Sequence, residues 1–187
     1  MPRLDDARSK ILETAQNLAQ SVGYCGFSFR DIAQEIGIKS ASIHYHFPTK
    51  DDLIIELSQK YREDFFQQLA ELNRDSTGPE ERIKALIQIF QTVLVDENRM
   101  CLCGMMAADA ELLSDEARSE IMRFYHESIG WLSDQWAQLG HKDPKAQAID
   151  TFVSLEGAML ISRMATSHEP FEIIKKKIED TLLSTEK

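Results

Sequence analysis

The chain has 187 residues, which is enough for one domain with a large core or for two small domains. Its 43 % hydrophobic content is ordinary for a globular protein, and its few glycines and prolines (8 and 5) favour long helices over strands and turns. No apolar run approaches the roughly 20 residues that cross a membrane, and the N-terminus has no apolar signal core. Three cysteines suit a reducing compartment, so we expect a cytoplasmic protein with no membrane partner.

The net charge of −10 is spread unevenly along the chain. Residues 1–50 hold six basic and five acidic residues, a net charge of +1, which leaves −11 for residues 51–187. This balance excludes indiscriminate binding to nucleic acid. It still allows a near-neutral N-terminal region to face an anion such as DNA.

Three helices are predicted in the first fifty residues, the second and third of them short. Apolar residues spaced three and four apart form one face of the first helix, which Gly23 ends. Ser28 is a natural N-cap for the second helix, with Asp31 in the capping-box position, and Gly37 stops it. Ser40 is the predicted cap of the third helix, which ends before a proline.

A longer helix is predicted over residues 49–74, and the sequence STGPE (76–80) then breaks the chain. Prolines 79, 144 and 170 each stand where a helix would start. Further helices are expected at about 79–96, 98–113, 114–139, 144–167 and 170–183. With no alternating strand pattern, the predicted fold class is all-α, with about nine helices.

The spacing of Ala33, Gly37 and Ile43 is typical of a helix-turn-helix unit. Such a unit needs a small residue where its helices cross, glycine at the turn, and a branched apolar residue that locks the second helix. The second helix of this unit, which is the third helix of the chain, has polar groups on its outer face that can contact base edges in a DNA groove. These residues are Lys39, Ser40, Ser42, His44, Tyr45 and His46.

The first 55 residues resemble the DNA-binding domain of the TetR (AcrR) family of transcriptional regulators. The matching positions are Arg8, Ile11, Leu12, Gly23, Tyr24, Ser28, Ile32, Ala33, Gly37, Ile38, Ala41, Ile43, His46, Phe47, Lys50, Asp51 and Leu53. The chain departs from the family pattern at Lys39, where serine is frequent, and at His44, where a phosphate-contacting tyrosine is common.

This resemblance implies a DNA-binding domain at residues 1–50, joined by the helix at 49–74 to an effector-binding and dimerisation domain at 51–187. It implies phosphate contacts from Ser28 and Lys50, both at helix N-termini. It also implies a homodimer on a palindromic double-stranded operator, with half-sites roughly 34–36 Å or a multiple apart. The helix at 144–167 is apolar on more than one face and, with 170–183, would form the dimer interface.

The function predicted on this basis is a ligand-responsive transcriptional regulator, most simply a repressor released by a small apolar or electrophilic effector. The predicted lining of the effector pocket is Phe90, Cys101, Met105, Phe124 and Trp131. A thiol sensor that uses Cys101 or Cys103 is an alternative, because Arg99 lies within helical reach of Cys103. Plain packing of both cysteines is the other interpretation.

Enzyme chemistry is a weaker alternative, because the chain has no glycine-rich phosphate loop and no nucleophile elbow. A sequence-independent DNA binder is disfavoured by the acidic body. His44 and His46 diverge by about 200° on a helix, so they cannot share a metal. Neither a metal nor another cofactor is predicted.

Overall fold

The computed structural model describes residues 4–76 and 78–184. The regular secondary structure in these ranges consists of α-helices and short helical turns, which confirms the predicted all-α class. The helices are α1 Leu4–Val22, α2 Phe29–Ile36, α3 Ser40–His46, α4 Lys50–Leu72, α5 Pro79–Gln91, α6 Leu102–Ala108, α7 Asp115–Gln138, α8 Pro144–Ala165 and α9 Glu169–Ser184. Within the described ranges no helix is both long and apolar enough to cross a membrane.

The ends of the N-terminal helices follow the predicted local chemistry. Gly23 has φ +76° and its N–H donates to the Ala19 carbonyl, 3.0 Å away, which closes α1. Ser28 and Asp31 form the predicted capping box before α2, and Gly37 ends that helix with φ +73°. Local sequence therefore sets where these helices stop.

The start of α3 differs from the prediction. Lys39 occupies the N-cap position and makes no side-chain capping bond, whereas Ser40 is the first helical residue. Thr49 does cap α4: its hydroxyl oxygen accepts from the Asp52 N–H at 3.1 Å, and its own N–H donates to the Asp52 carboxylate at 2.9 Å.

The continuous helix predicted over 98–113 is wrong. After α5 a π-helical turn runs over Thr92–Asp96, and the chain then leaves helical geometry until α6 begins at Leu102. Asn98 adopts φ +52°, which a continuing right-handed helix does not allow. A 3₁₀ turn at Ala110–Leu112 then separates α6 from α7.

Contacts divide the chain into two compact units. The first unit comprises Met1–Glu63 and Leu102–Phe124, and the second comprises Asp64–Cys101 and Tyr125–Lys187. The first half of α4, all of α6 and the first half of α7 therefore belong with the helix-turn-helix region. The predicted division at residue 50 into a DNA-binding domain and an effector-binding domain stays a prediction, and the packing units do not coincide with it.

Each unit has its own buried apolar core. In the first unit α1 packs on α2 and α6, and the fully buried residues include Ile11, Ile32, Ile43 and Leu53. In the second unit α8 packs along α9, and α5 contacts both helices. Burial of these side chains is the main favourable term in holding each set of helices together.

Candidate functional site

The third helix turns an apolar side inward and a polar side to solvent. Ile43 and the adjoining Phe47 are fully buried, whereas the Tyr45 side chain is 75 % exposed. Six of the predicted DNA contacts belong to α3 and its N-cap, and all six reach solvent. The exposed ones are Lys39, Ser42, His44 and Tyr45, and the half-exposed ones are Ser40 and His46. The buried pair anchors the helix, so its outer side chains form one accessible polar surface.

The His44 ring is held by two contacts within the helix-turn-helix unit. Its Nδ1 lies 3.3 Å from the Pro48 carbonyl oxygen, and its ring meets Phe29 at 4.8 Å between centroids and 65° between planes. Because a carbonyl only accepts, this hydrogen bond requires the proton on Nδ1. Nε2 is then the one ring nitrogen left for a partner outside the protein.

Ser28 uses its hydroxyl inside the capping box. The hydroxyl donates to the Asp31 carboxylate at 2.7 Å, and the Ser28 backbone N–H donates to the same oxygen at 2.8 Å. These bonds hold the pKa of the Asp31 carboxyl below its usual value. The phosphate contact predicted for Ser28 stays a prediction, and the exposed N-terminus of α2 remains available for it.

The Lys50 side chain points into the protein. Its ammonium donates to the carbonyl oxygens of Tyr24 and Phe27 and lies 4.4 Å and 4.1 Å from the centroids of their rings. Burial lowers the pKa of Lys50, while the nearby Cys25 and Asp109 oppose that shift. This geometry favours a structural role for Lys50, in which it stabilises the turn between α1 and α2, over the predicted phosphate contact.

The same turn is tied to the segment that follows α6. The Tyr24 backbone N–H donates to the Asp109 carboxylate at 3.0 Å. A Cβ atom on Gly23 would lie 3.2 Å from that carboxylate, and the positive φ of Gly23 also favours glycine. The Tyr24 hydroxyl donates to Asp51 at 3.3 Å, and burial, followed by the Asp51 charge, raises the pKa of Tyr24.

Most of the predicted effector-pocket residues lie in packed cores. Phe90 is buried, with its ring 6.2 Å from that of Phe65 and 5.7 Å from that of Phe152. Phe124 is fully buried, and its ring lies 5.6 Å from that of Tyr61. Neither residue lines the cleft between α5 and α9, the cleft along α9, or the cleft beside Trp131.

The other predicted pocket residues have three different surroundings. Met105 is half-buried beside Gly23, where it would lie 3.5 Å from an added Cβ. Cys101 is buried next to Glu156. Trp131 lines a cleft with a volume of about 380 Å³, which is called the Trp131 groove below. The pocket as a set of five residues stays a prediction.

Neither cysteine of the predicted thiol sensor is open to reagents. Cys101 is 2 % exposed and Cys103 is also buried, whereas Cys25 in the turn after α1 is exposed. A sensing thiol needs access, so this burial favours the packing interpretation. Among the described residues, no group of three or more His, Cys, Asp or Glu residues could hold a metal.

A half-buried glutamate, Glu156, accompanies Cys101, and its carboxyl group faces inward. The Oε1 atom of Glu156 is sealed from solvent and has no hydrogen-bond partner in the described part of the chain. Burial raises the pKa of Glu156 well above its ordinary value, and the neighbouring Cys101 thiol adds to the shift. Sequence reasoning missed this residue, since nothing in the pattern of α8 separates it from a solvent-exposed glutamate.

One side of α8 exposes large apolar residues in a continuous stripe. Val153, Leu160 and Ile161 are each more than half exposed, and Met164 is 85 % exposed. Their offsets of seven, eight and eleven from the first place them on one helical face, and Ile173 on α9 is also exposed. Monomeric proteins rarely leave a contiguous apolar face of this kind in water.

Two family models cover most of the chain. Residues 11–57 match the family described as bacterial regulatory proteins, tetR family. Residues 79–177 match the C-terminal domain of LmrA/YxaF-like transcriptional regulators. The two matches correspond to the helix-turn-helix region and to the larger helical region.

Relatives are similar over nearly the full length. The HTH-type transcriptional regulator LmrA of Bacillus subtilis (strain 168) is 30 % identical over 95 % of this chain and 97 % of its own. The biofilm operon icaADBC negative transcriptional regulator IcaR of Staphylococcus aureus (strain Newman) is 29 % identical, covering 65 % of this chain and 70 % of its own.

Solved structures show the same architecture. The crystal structure of a TetR transcriptional regulator from Legionella pneumophila superposes with a TM-score of 0.87 and 31 % identity, covering 92 % of this chain and 95 % of that one. The exposed helix-turn-helix surface, the two matched domains and this likeness agree. The chain belongs to the TetR family of transcriptional regulators, with a C-terminal domain of the LmrA/YxaF type.

Proposed function

We propose that this regulator is a homodimeric repressor that binds a palindromic operator and leaves it when a small molecule occupies its C-terminal domain. The observation that carries the proposal is the exposed side of α3, where Tyr45 projects from a helix anchored by fully buried Ile43. A helix of this kind can enter the major groove and contact base edges. A protein of this class acts where the DNA is, which supports a cytoplasmic location.

A second copy of the chain is the proposed occupant of the apolar stripe on α8 and α9. Burying Leu160, Ile161 and Met164 against the same residues of a partner would give a self-complementary interface with two-fold symmetry. Two α3 helices would then meet two half-sites. Two half-site contacts would also compensate for the acidic composition, because a single N-terminal region with a net charge near zero would bind DNA weakly.

Repression is the proposed direction of control because the relative IcaR is named a negative regulator. A repressor needs a route from its effector domain to its DNA contacts. Residues 102–124 offer one, because they lie within the LmrA/YxaF-like match and yet pack with the helix-turn-helix unit. The effector would act through different affinities for two conformations that differ in operator affinity.

The test is selection from a random-sequence duplex library with the purified protein at physiological salt and excess non-specific competitor. We expect enrichment of an inverted repeat. Tyr45→Ala should weaken binding to that repeat by about tenfold or more, as loss of a good groove contact would. Met122→Ala, which alters an exposed apolar residue of α7, is the matched control and should bind as the wild type does.

Two results would contradict the proposal. Enrichment without an inverted repeat would remove the symmetric dimer. Unchanged binding by Tyr45→Ala would remove α3 as the reading element. Thermal melts of both variants should match the wild type, because both side chains are substantially exposed.

A further inference from the structure

The Trp131 groove in the second unit has apolar walls. Leu69 and Ala70 from α4 form one side, and the rings of Phe66 and Trp131 contribute aromatic surface. Its volume of about 380 Å³ falls within the range of small-molecule sites. Walls of this composition suit a ligand with a flat apolar body.

The polar lining contains a single charged group, the guanidinium of Arg82. Its Nη1 donates to the Gln135 side-chain oxygen at 3.4 Å, and Gln135 is only 5 % exposed. The Gln135 amide nitrogen in turn donates to the Trp131 carbonyl at 3.3 Å. A buried amide therefore holds one edge of the guanidinium at the groove.

The rest of the guanidinium has no partner among the described residues. An arginine carries five N–H donors, and no carboxylate of the described chain lies within ion-pair distance of Arg82. Asn73, the remaining polar residue of the lining, donates from its amide nitrogen to the Leu69 carbonyl at 2.8 Å, and its side-chain oxygen accepts from the Ser76 hydroxyl at 3.1 Å. In a chain with 31 acidic and 21 basic residues, an arginine left without an acid in a cleft marks an anion site.

We infer that the Trp131 groove binds an aromatic carboxylate, with its ring against Phe66 and Trp131 and its carboxylate on Arg82. Guanidinium and carboxylate groups match in a bidentate geometry, which supplies direction as well as charge. A neutral amide of the same shape would offer Arg82 one uncharged acceptor in place of the charged, bidentate carboxylate, and a cation would be repelled. The inference rests on the proposed function only where it makes this carboxylate the effector.

The test is calorimetric titration of the full-length protein with three probes of one shape: 2-naphthoate, neutral 2-naphthamide and 2-naphthylmethylammonium. We expect 2-naphthoate to bind about 10- to 100-fold more tightly than the other two. Arg82→Gln should lose that preference and bind 2-naphthoate and 2-naphthamide alike. Arg74→Gln, which changes an exposed arginine outside the groove, is the matched control and should keep it.

A second readout locates the ligand. The chain has two tryptophans, and Trp136 is fully buried, so 2-naphthoate should change the fluorescence of the wild type and not that of Trp131→Phe. The inference is overturned if 2-naphthoate fails to bind or if 2-naphthamide binds as tightly as 2-naphthoate. It is also overturned if Arg82→Gln binds 2-naphthoate with unchanged affinity while its melting temperature is normal.

Operator binding separates this inference from the proposed function. If the protein binds its inverted repeat but not 2-naphthoate, the groove inference fails and the repressor stands. If 2-naphthoate binds through Arg82 and leaves operator affinity unchanged, the site is real and its role as the effector site is refuted.

Discussion

The Tyr24 backbone N–H donates to the Asp109 carboxylate at 3.0 Å, although 85 residues separate the two along the chain. Through this bond the turn before α2 is attached to the end of α6, within one compact unit. Lys50, the first residue of α4, reinforces the turn, because its ammonium donates to the Tyr24 and Phe27 carbonyls. Helix-turn-helix geometry in this chain therefore depends on residues far outside the helix-turn-helix sequence.

Replacing Asp109 with alanine should destabilise the protein. A hydrogen bond to a charged group contributes about 1.5–3 kcal/mol, which corresponds to a fall in melting temperature of roughly 3–12 °C in a chain of this size. Thermal melts followed by circular dichroism measure the shift. Glu111→Ala, at an exposed position two residues along, is the control and should change little; an equal shift in both variants would contradict the role given to Asp109.

Lys50→Met distinguishes an inward lock from a phosphate contact. Each lost phosphate contact reduces the slope of log affinity against log salt by about 0.9, and a dimer would lose two. Because the Lys50 ammonium binds carbonyls and rings, we expect the salt slope to stay unchanged while thermal stability falls. A slope reduced by about 1.8, with stability intact, would restore the phosphate contact expected from the sequence.

Met164→Glu should convert the dimer to a monomer. This residue is 85 % exposed in the single chain, so the charge costs little there, but it would be buried beside its own copy across a two-fold interface. Light scattering after size-exclusion chromatography gives the mass directly. Met122→Glu, on the exposed apolar position of α7, should leave the mass unchanged, and a monomeric wild type would refute the interface outright.

Glu156 should make stability depend on pH. Its pKa is raised in the folded chain by burial and by Cys101, so between its ordinary value near 4.3 and the raised value the folded chain keeps a proton that the unfolded chain has released. Stability contributed in this way is complete below the ordinary pKa and is lost as pH rises through the folded pKa. We expect Glu156→Gln to melt above the wild type at pH 8 and to converge with it towards pH 4.5.

A difference between the Glu156→Gln and wild-type melting temperatures that does not vary with pH would contradict this account. Glu111→Gln supplies the reference for an exposed glutamate on the same titration.

The three cysteines should react at two very different rates. Cys25 is exposed, whereas Cys101 and Cys103 are buried, so a maleimide should add once to the native protein and three times after denaturation, as read by mass spectrometry. Cys25→Ser should remove the native addition. Rapid native labelling of Cys101 or Cys103 would revive the thiol-sensor alternative.

The parts of the fold that sequence predicted are those fixed by local chemistry. Ser28, Gly37, Thr49 and the prolines at 79 and 144 each act on backbone groups within four residues, so their effect is visible in a short window. The break at Asn98 is not predicted, because no glycine or proline marks it in the sequence and its left-handed φ appears only in the structure.

The site residues divide in the same way. The helix-turn-helix spacing predicts Ile43 inside and Tyr45 on the outer face, and the structure agrees. The direction of the Lys50 side chain could not be read from sequence, since it depends on carbonyls 23 and 26 residues away. Arg82 gave no signal either: it becomes notable only when α4, α5 and α7 surround it with apolar walls and no acid.

The attachment of Asp109 to Tyr24 also bears on how this regulator can be re-engineered. A chimera that transfers only residues 11–57, the extent of the tetR family match, would separate the Tyr24 N–H from its acceptor and leave Gly23 facing foreign side chains. A transplant that carries residues 102–124 as well would keep that bond and the packing of α1 on α6. The transferable module is thus discontinuous in sequence. A host scaffold must accept two grafts, residues 11–57 with the helix-turn-helix unit and residues 102–124 with the segment that binds its first turn.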